Sequence, residues 1–248
     1  MDVRSFVIAA LLIAGSSAGL AGERTLDALL AEVAEAYGGA EVIISTHAVR
    51  LSGTTYSVMR GTSGPIERAY EHPDKLLVEI AYAGQAPERR VIYGERGWRQ
   101  GQPVGGPFHD SMVLQAARMA LPRILLDRRA ELVDHGTVET EDLPRGRVLE
   151  VPLAEGLRLF VTIDSATGRI RRSAGVMAMG DSRMSFGTSY EDFRMHEGRL
   201  VAFREIHVVG EQTTGHTVIE EISFPDDIPD SVFAPARDRR PALESEQT

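Results

Sequence analysis

The sequence predicts a mainly β fold with a few short helices. The expected architecture is one strongly curved antiparallel sheet, an incomplete β barrel, holding a central helical lid or plug. Three observations carry this. From Val42 to about residue 224, apolar and polar residues alternate with a period of two, in short runs parted by turn residues. Midway, that alternation gives way to an apolar stretch at helical spacing, over about 112–126. Strands this close together, with short turns, must pair antiparallel, because parallel neighbours need long crossovers. A sheet of about a dozen strands curls, and short apolar helices inserted within it would pack on the concave side.

The 248-residue chain begins with the pattern of an export signal. Arg4 gives a small positive start, and Phe6 to Ala14 is apolar but too short to cross a bilayer core of about 30 Å as a helix. Small residues follow, and Gly19-Leu20-Ala21 suits cleavage. Residues 1–21 are therefore expected to be removed, leaving a soluble periplasmic protein with only peripheral or transient membrane contact. There is no cysteine, which excludes both a disulfide scaffold and a lipid-modified N-terminal cysteine. The formal charge of −9 repels phosphate backbones and argues against nucleic acid as a partner.

Thr25 to Tyr37 reads as a helix, with Leu26, Leu29, Leu30, Val33 and Tyr37 on one face, Thr25 as N-cap and Gly38-Gly39 as the stop. Strands are expected near 42–52, 54–61, 65–71, 75–83, 88–94 and 97–100. Their separators are Ser52-Gly53, the Gly61 to Pro65 stretch, His72-Pro73-Asp74 and Gly84, with a tight hairpin running from Tyr93 to Trp98. The loop from Gly101 to Pro107 leads to a helix capped by Asp110 or Ser111 and carrying Met112, Val113, Ala116, Ala117 and Met119. Pro122 interrupts it, and Ile124, Leu125 and Leu126 continue it briefly. Strands resume near 131–138, 147–153, 157–164, 169–178, 184–194, 199–209 and 216–224. Phe233 anchors an irregular end, and the charged residues 236–248 are expected to be disordered. No repeat or linker divides residues 22–235, which read as one domain.

Chemistry-bearing motifs are scarce. There is no G-x-S-x-G, and Gly175 to Ser182 imitates a phosphate loop only until Asp181, which stands where a lysine is needed. Glu220 and Glu221 are expected on opposite strand faces. His207 and His216 could face each other across a hairpin, but two histidines make no metal site. No catalytic residue, metal or cofactor is predicted. Apolar residues are more telling. With Asp181-Ser182 as a two-residue hairpin loop, Met179 would lie opposite Met184 and Met177 opposite Phe186. Methionine suits both variable apolar ligands and ordinary cores, and the sequence leaves both open. Trp98 would line a cavity mouth or close one end of the core.

In order and spacing, the chain from about Thr25 to Pro235 resembles the periplasmic lipoprotein-carrier superfamily, the LolA/LolB-like or outer-membrane lipoprotein-sorting-like proteins. The resemblance rests on the N-terminal helix, Glu71-His72-Pro73-Asp74-Lys75-Leu76 before a strand, and the Tyr93-Gly94…Gly97-Trp98 hairpin. It extends through the helical insert, the Leu159 to Gly168 strand and turn, and Asp227-Ile228-Pro229-Asp230-Ser231-Val232-Phe233. It implies an incomplete barrel around a helical lid, with an apolar cavity for acyl chains. The family's lid-holding arginine before the proline is His72 here. The implied function is non-catalytic carriage of a lipid or a lipoprotein's acyl chains in outer-membrane trafficking. An envelope sensor or assembly module binding a protein partner is the other reading. Chosen by strand or helix face, the cavity candidates are Val78, Ile80, Tyr82, Met112, Met119, Met177, Met179, Met184 and Phe186. His72, Gly101 and Gly105 are the lid and hinge candidates.

Overall fold

The structure, a computed structural model, describes residues 25–140, 143–179 and 182–235. The expected signal segment 1–21, the Asp181 loop position and the tail 236–248 lie outside the described residues.

Helix α1 (Leu26–Ala36) begins where the sequence places it, with the Thr25 hydroxyl accepting from the Ala28 N–H. Its apolar stripe, Leu29, Leu30 and Val33, is buried against the sheet. A short helix α2 (Ala40–Ser45) follows, so 42–45 are helical rather than extended. The run Val42-Ile43-Ile44 fits either period, and a run that short is ambiguous; burial of Ile43 settles it.

The first set of strands is β1 (Ala48–Ser57), β2 (Thr62–Glu71), β3 (Lys75–Ile80), β4 (Glu88–Tyr93), β5 (Arg96–Arg99) and β6 (Gln102–Val104). The second is β7 (Val133–Thr140), β8 (Leu143–Ala154), β9 (Leu157–Asp164), β10 (Ile170–Met179), β11 (Ser182–His196), β12 (Arg199–Val209) and β13 (Gln212–Ser223). Each set is a meander, and β1 pairs with β13, giving the order β6-β5-β4-β3-β2-β1-β13-β12-β11-β10-β9-β8-β7. Every pairing is antiparallel, and β6 and β7 remain as free edges. The barrel is incomplete, as predicted.

Between those two edges runs the helical insert, α3 (Gly106–Met119) and α4 (Arg123–Asp127). It is thus a plug attached at both ends. The cap differs from expectation: Gly105 precedes α3 and Pro107 sits in its first turn, so Asp110 and Ser111 are already helical. The stretch from Gly101 to Pro107 is not all loop, because Gln102–Val104 pairs with β5.

Two glycines mark corrections of register. Ser52-Gly53 lies inside one long strand rather than in a turn between two, and opposite it β13 carries a bulge with Glu220 as the extra residue. A Cβ on Gly53 would lie 2.1 Å from the Val218 carbonyl oxygen, so the close approach requires glycine. The bulge also sets Glu220 and Glu221 on one face, against the expectation: Thr54 donates to Glu220 at 2.7 Å and Ser52 to Glu221 at 3.5 Å. Gly175 opens a notch on the concave face that receives Leu114 of α3; a Cβ there would meet the Leu114 side chain at 2.5 Å. Gly175→Val should therefore unseat α3 and lower stability by about 1–3 kcal/mol. A urea midpoint equal to the parent's would show that α3 does not rest on this notch.

The expected β10–β11 register is displaced by two residues. Met177 pairs with Met184, Gly175 with Phe186 and Met179 with Ser182, because the strands run closer to the reversal. An even displacement preserves the faces. Met177 is buried with Leu157, Leu159, Val161 and Ile163 of β9, and Met184 and Phe186 pack against that cluster.

The end of the chain straps the convex face. Ile228 and Phe233 are buried with Ala48, Ala69, Leu77 and Val91, and Trp98 packs beside them. The Ile228 N–H donates to the Glu71 carboxylate, Lys75 bridges Glu71 and Asp230, and Arg89 donates to the carbonyls of Val232 and Ala234.

Candidate functional site

Two cavities flank the plug. The first, of about 160 Å³, lies between the C-terminal end of α3 and the concave face of β1, β12 and β13. Val49, Leu51, Met119, Val201, Ile219 and Ile222 give it an apolar wall. The second, of about 370 Å³, opens on the other side of the plug, where Ile92 of β4 approaches Leu153 of β8 across the barrel's gap. Tyr70 and Ala120 line both. They form a shared partition, so a shift of the plug at Ala120 would join the two spaces. A broader groove of about 1120 Å³ crosses the convex face, but its walls carry charges of both signs, including Arg50, Glu67, Glu79, Glu220 and Glu221. That suits water better than an apolar guest.

A polar network runs along the concave face beside the first cavity. Arg68 of β2 holds Glu205 of β12 with two hydrogen bonds, 3.0 and 2.7 Å. Arg118 of α3 donates from Nε to the Ser173 hydroxyl at 3.2 Å and from Nη2 to the Phe186 carbonyl at 2.6 Å. Ser173 in turn meets the Tyr190 hydroxyl at 2.8 Å. His207 Nε2 lies 2.9 Å from the Thr217 hydroxyl, which donates to Thr55 at 3.1 Å, and Thr55 donates to the His216 carbonyl. That direction of donation assigns the Nε2–H tautomer to a neutral His207.

Electrostatics follow from depth. Burial would raise the Glu205 pKa, but Arg68, His207 and Arg118 outweigh it and hold the carboxyl below its usual range. Burial pushes His207 down to about 4, against the attraction of Glu205. Burial likewise pushes Tyr190 up to about 12, leaving it a phenol that can donate. The arginine on the plug, Arg118, is pushed down by burial as well.

The structure disperses the sequence-picked residues. Val78 and Met112 are fully buried together, with Ile80 packed beside them, in the contact between β3 and α3. Met177, Met184 and Phe186 form the seat of α3 and α1 on the second meander. Met119 alone of the nine lines the first cavity. Tyr82 lies beyond the end of β3, with the Arg60 guanidinium 4.8 Å above its ring, away from both cavities. The Met179 side chain lies outside the described residues. His72 touches the plug: its Nε2 is 3.7 Å from Asp127 of α4, and burial and Arg123 hold its pKa down. Gly101 sits in the turn between β5 and β6, and Gly105 precedes α3. His207 and His216 do not face each other: His207 pairs with Gly215 and His216 with Ile206, because the hairpin turns at Gly210-Glu211 rather than at Glu211-Gln212.

Arg68, Arg118 and Glu205 were not among the expected site residues. Periodicity did hold a signal. Arg118 follows Leu114 by four, and Arg68 alternates between Ile66 and Tyr70, so each falls on an apolar face.

A curved thirteen-stranded sheet, open at one side and plugged by helices above an apolar cavity, is a container fold. It is the fold of a LolA superfamily protein from Nitrosomonas europaea, which matches 85% of this chain and 97% of its own at 13% identity and a TM-score of 0.53. A DUF1329 family protein from Desulfovibrio piger matches 84% of this chain and 96% of its own at 9% identity and a TM-score of 0.52. At these identities the likeness is one of fold. No family model matches the sequence, and no curated protein matches it. Among the described residues, no helix is long and apolar enough to cross a membrane.

Proposed function

We propose that the protein is a periplasmic carrier that binds a lipid, or the acyl chains of a lipoprotein, between its curved sheet and its helical plug. The reading needs no covalent step and makes the protein a non-catalytic component of outer-membrane trafficking. The observation that carries it is the pair of cavities on either side of the plug, parted by Tyr70 and Ala120. Ligand pockets of drug-sized molecules hold about 300–1,000 Å³. The first cavity, at about 160 Å³, is below that range by itself. A long acyl chain therefore requires the plug to move, and transfer of each methylene from water favours binding by about 0.8 kcal/mol. The fold shared with a LolA superfamily protein supports the same reading.

Native mass spectrometry with lipid extraction, on protein isolated from a periplasmic fraction without detergent, tests this. The expected result is a defined lipid or acylated peptide at about one per chain, lost when Leu51 is replaced by Glu on the cavity wall. A folded chain that carries nothing and ignores added lipid would overturn the proposal and turn attention to a protein partner, sought by crosslinking.

A further inference from the structure

The charge lining the first cavity is opposite to the charge of the protein. The chain as a whole stands at −9. Yet the cavity wall carries Arg118, Arg123 and Arg199 against one carboxylate, Glu205, and that carboxylate is already held by Arg68. Arg123 is paired with Asp127. The other two make their hydrogen bonds to neutral acceptors. Arg199 donates to the Thr46 hydroxyl at 2.7 Å and to the Glu197 carbonyl at 2.8 Å. Arg118 donates to the Ser173 hydroxyl and the Phe186 carbonyl.

Arg118 is the telling one. It projects from the plug, is deeply placed, and keeps surface open to the cavity. A cation taken so far from water is expensive unless an anion or several hydrogen bonds compensate it. Hydrogen bonds to an ionised oxygen are about twice as strong as those to a neutral one. An entering carboxylate or phosphate would therefore displace the Phe186 carbonyl as the partner of Arg118. The Tyr190 hydroxyl also faces the cavity, and with one proton of the Ser173–Tyr190 pair used between the two oxygens, the pair keeps one proton to donate. Beyond them, Leu51, Met119, Val201, Ile219 and Ile222 offer only apolar surface, toward the end of the cavity where Arg199 and Phe224 stand.

We propose that this cavity selects amphiphiles with an anionic head, a carboxylate or a phosphate monoester, with the head on the Arg118 guanidinium and the tail along the apolar wall. This rests on the carrier reading and adds to it the charge of the cargo. It also gives the plug a reason to respond. The bond that an anion would take from Arg118 is the one that ties α3 to β11, so binding would loosen the plug and admit longer chains.

Isothermal titration calorimetry on the detergent-free protein, with octanoate, octyl phosphate, 1-octanol and octyltrimethylammonium, tests it. Octanoate or octyl phosphate should bind at least about tenfold tighter than octanol, and the cationic probe should bind weakest. Arg118→Met should abolish the preference, bringing the affinities of the anionic probes to that of octanol measured on the same variant; a preference that survives in this variant would overturn the assignment of the head to Arg118. Arg118→Lys, which keeps the charge, should retain the preference and so separate loss of charge from loss of fold. Equal affinity for all four probes would overturn the charge selection and leave the carrier reading standing. Binding of none would remove both. Inorganic phosphate binding as tightly as octyl phosphate would overturn the amphiphile and assign the arginine to a free anion.

Discussion

Glu205→Gln should destabilise the protein by about 3–5 kcal/mol, because it leaves the Arg68 guanidinium buried without its counter-charge. The pair is well inside, with side chains only 13% and 12% exposed. Urea unfolding would measure the loss. Replacing both partners together, Arg68→Met with Glu205→Leu, should recover most of it, since neither charge is then stranded. If the single and double variants lose equally, the network is held by packing rather than by charge.

The same network predicts the response to acid. The His207 pKa is depressed in the fold, to about 4, from about 6.5 in an unfolded chain. Between those values the unfolded state binds the extra proton, so stability falls as pH falls from about 6.5 to 4, by about 2–3 kcal/mol. Glu205, also depressed, contributes stability above the ordinary carboxylate range and loses it as pH falls through its lower folded pKa. His207→Gln, which can still donate to Thr217, should flatten the first part of this decline and leave the second.

Phe233→Ala is expected to cost about 3–5 kcal/mol. The ring is fully buried with Leu77, Val91 and Ile228 on the convex face. Among the described residues no other layer covers that part of β1 to β4, so the cavity would open to water rather than collapse. The lost stability should appear as a lower urea midpoint and as faster proteolysis near 225–235. A parent-like midpoint would mean that the strap's polar bonds, Lys75 to Asp230 and Arg89 to two carbonyls, suffice to hold it.

Most strands were legible because one face is buried and the other wet. Leu157, Leu159, Val161 and Ile163 alternate cleanly, and all four are buried. Phe233 could be read as an anchor from its isolation in a polar stretch. The continuation of β1 through Ser52-Gly53, opposite the bulge at Glu220, could not, because a glycine after a serine reads as a turn when its close neighbour, the Val218 carbonyl, lies some 165 residues away in the chain. The site was harder still. Methionine and valine faces mark where the plug meets the sheet, and Val78, Met112 and Met177 went into that contact. The empty space lies one step further, at Leu51, Ile219 and Ile222. A cavity is a place where side chains fail to meet, and alternation along one strand cannot tell a filled space from an empty one. The charged residues on apolar faces, Arg68 and Arg118, were the better pointers.

The pairing of β1 with β13 has a consequence for how the chain reaches this state. Within each meander, neighbours in sequence are neighbours in space, and such contacts form early. The β1–β13 seam instead joins Leu51 to Ile222, and closing a loop of about 170 residues costs roughly 4.5 kcal/mol in chain entropy. Once both meanders exist, the remaining flexible link is the helical insert alone. Closing about 28 residues costs roughly 3 kcal/mol. The segment that plugs the finished container is thus also the tether that brings its halves together. Its length answers to two demands, reach during assembly and fit afterwards. Only when the seam has zipped does α3 have both halves of the concave wall to press against.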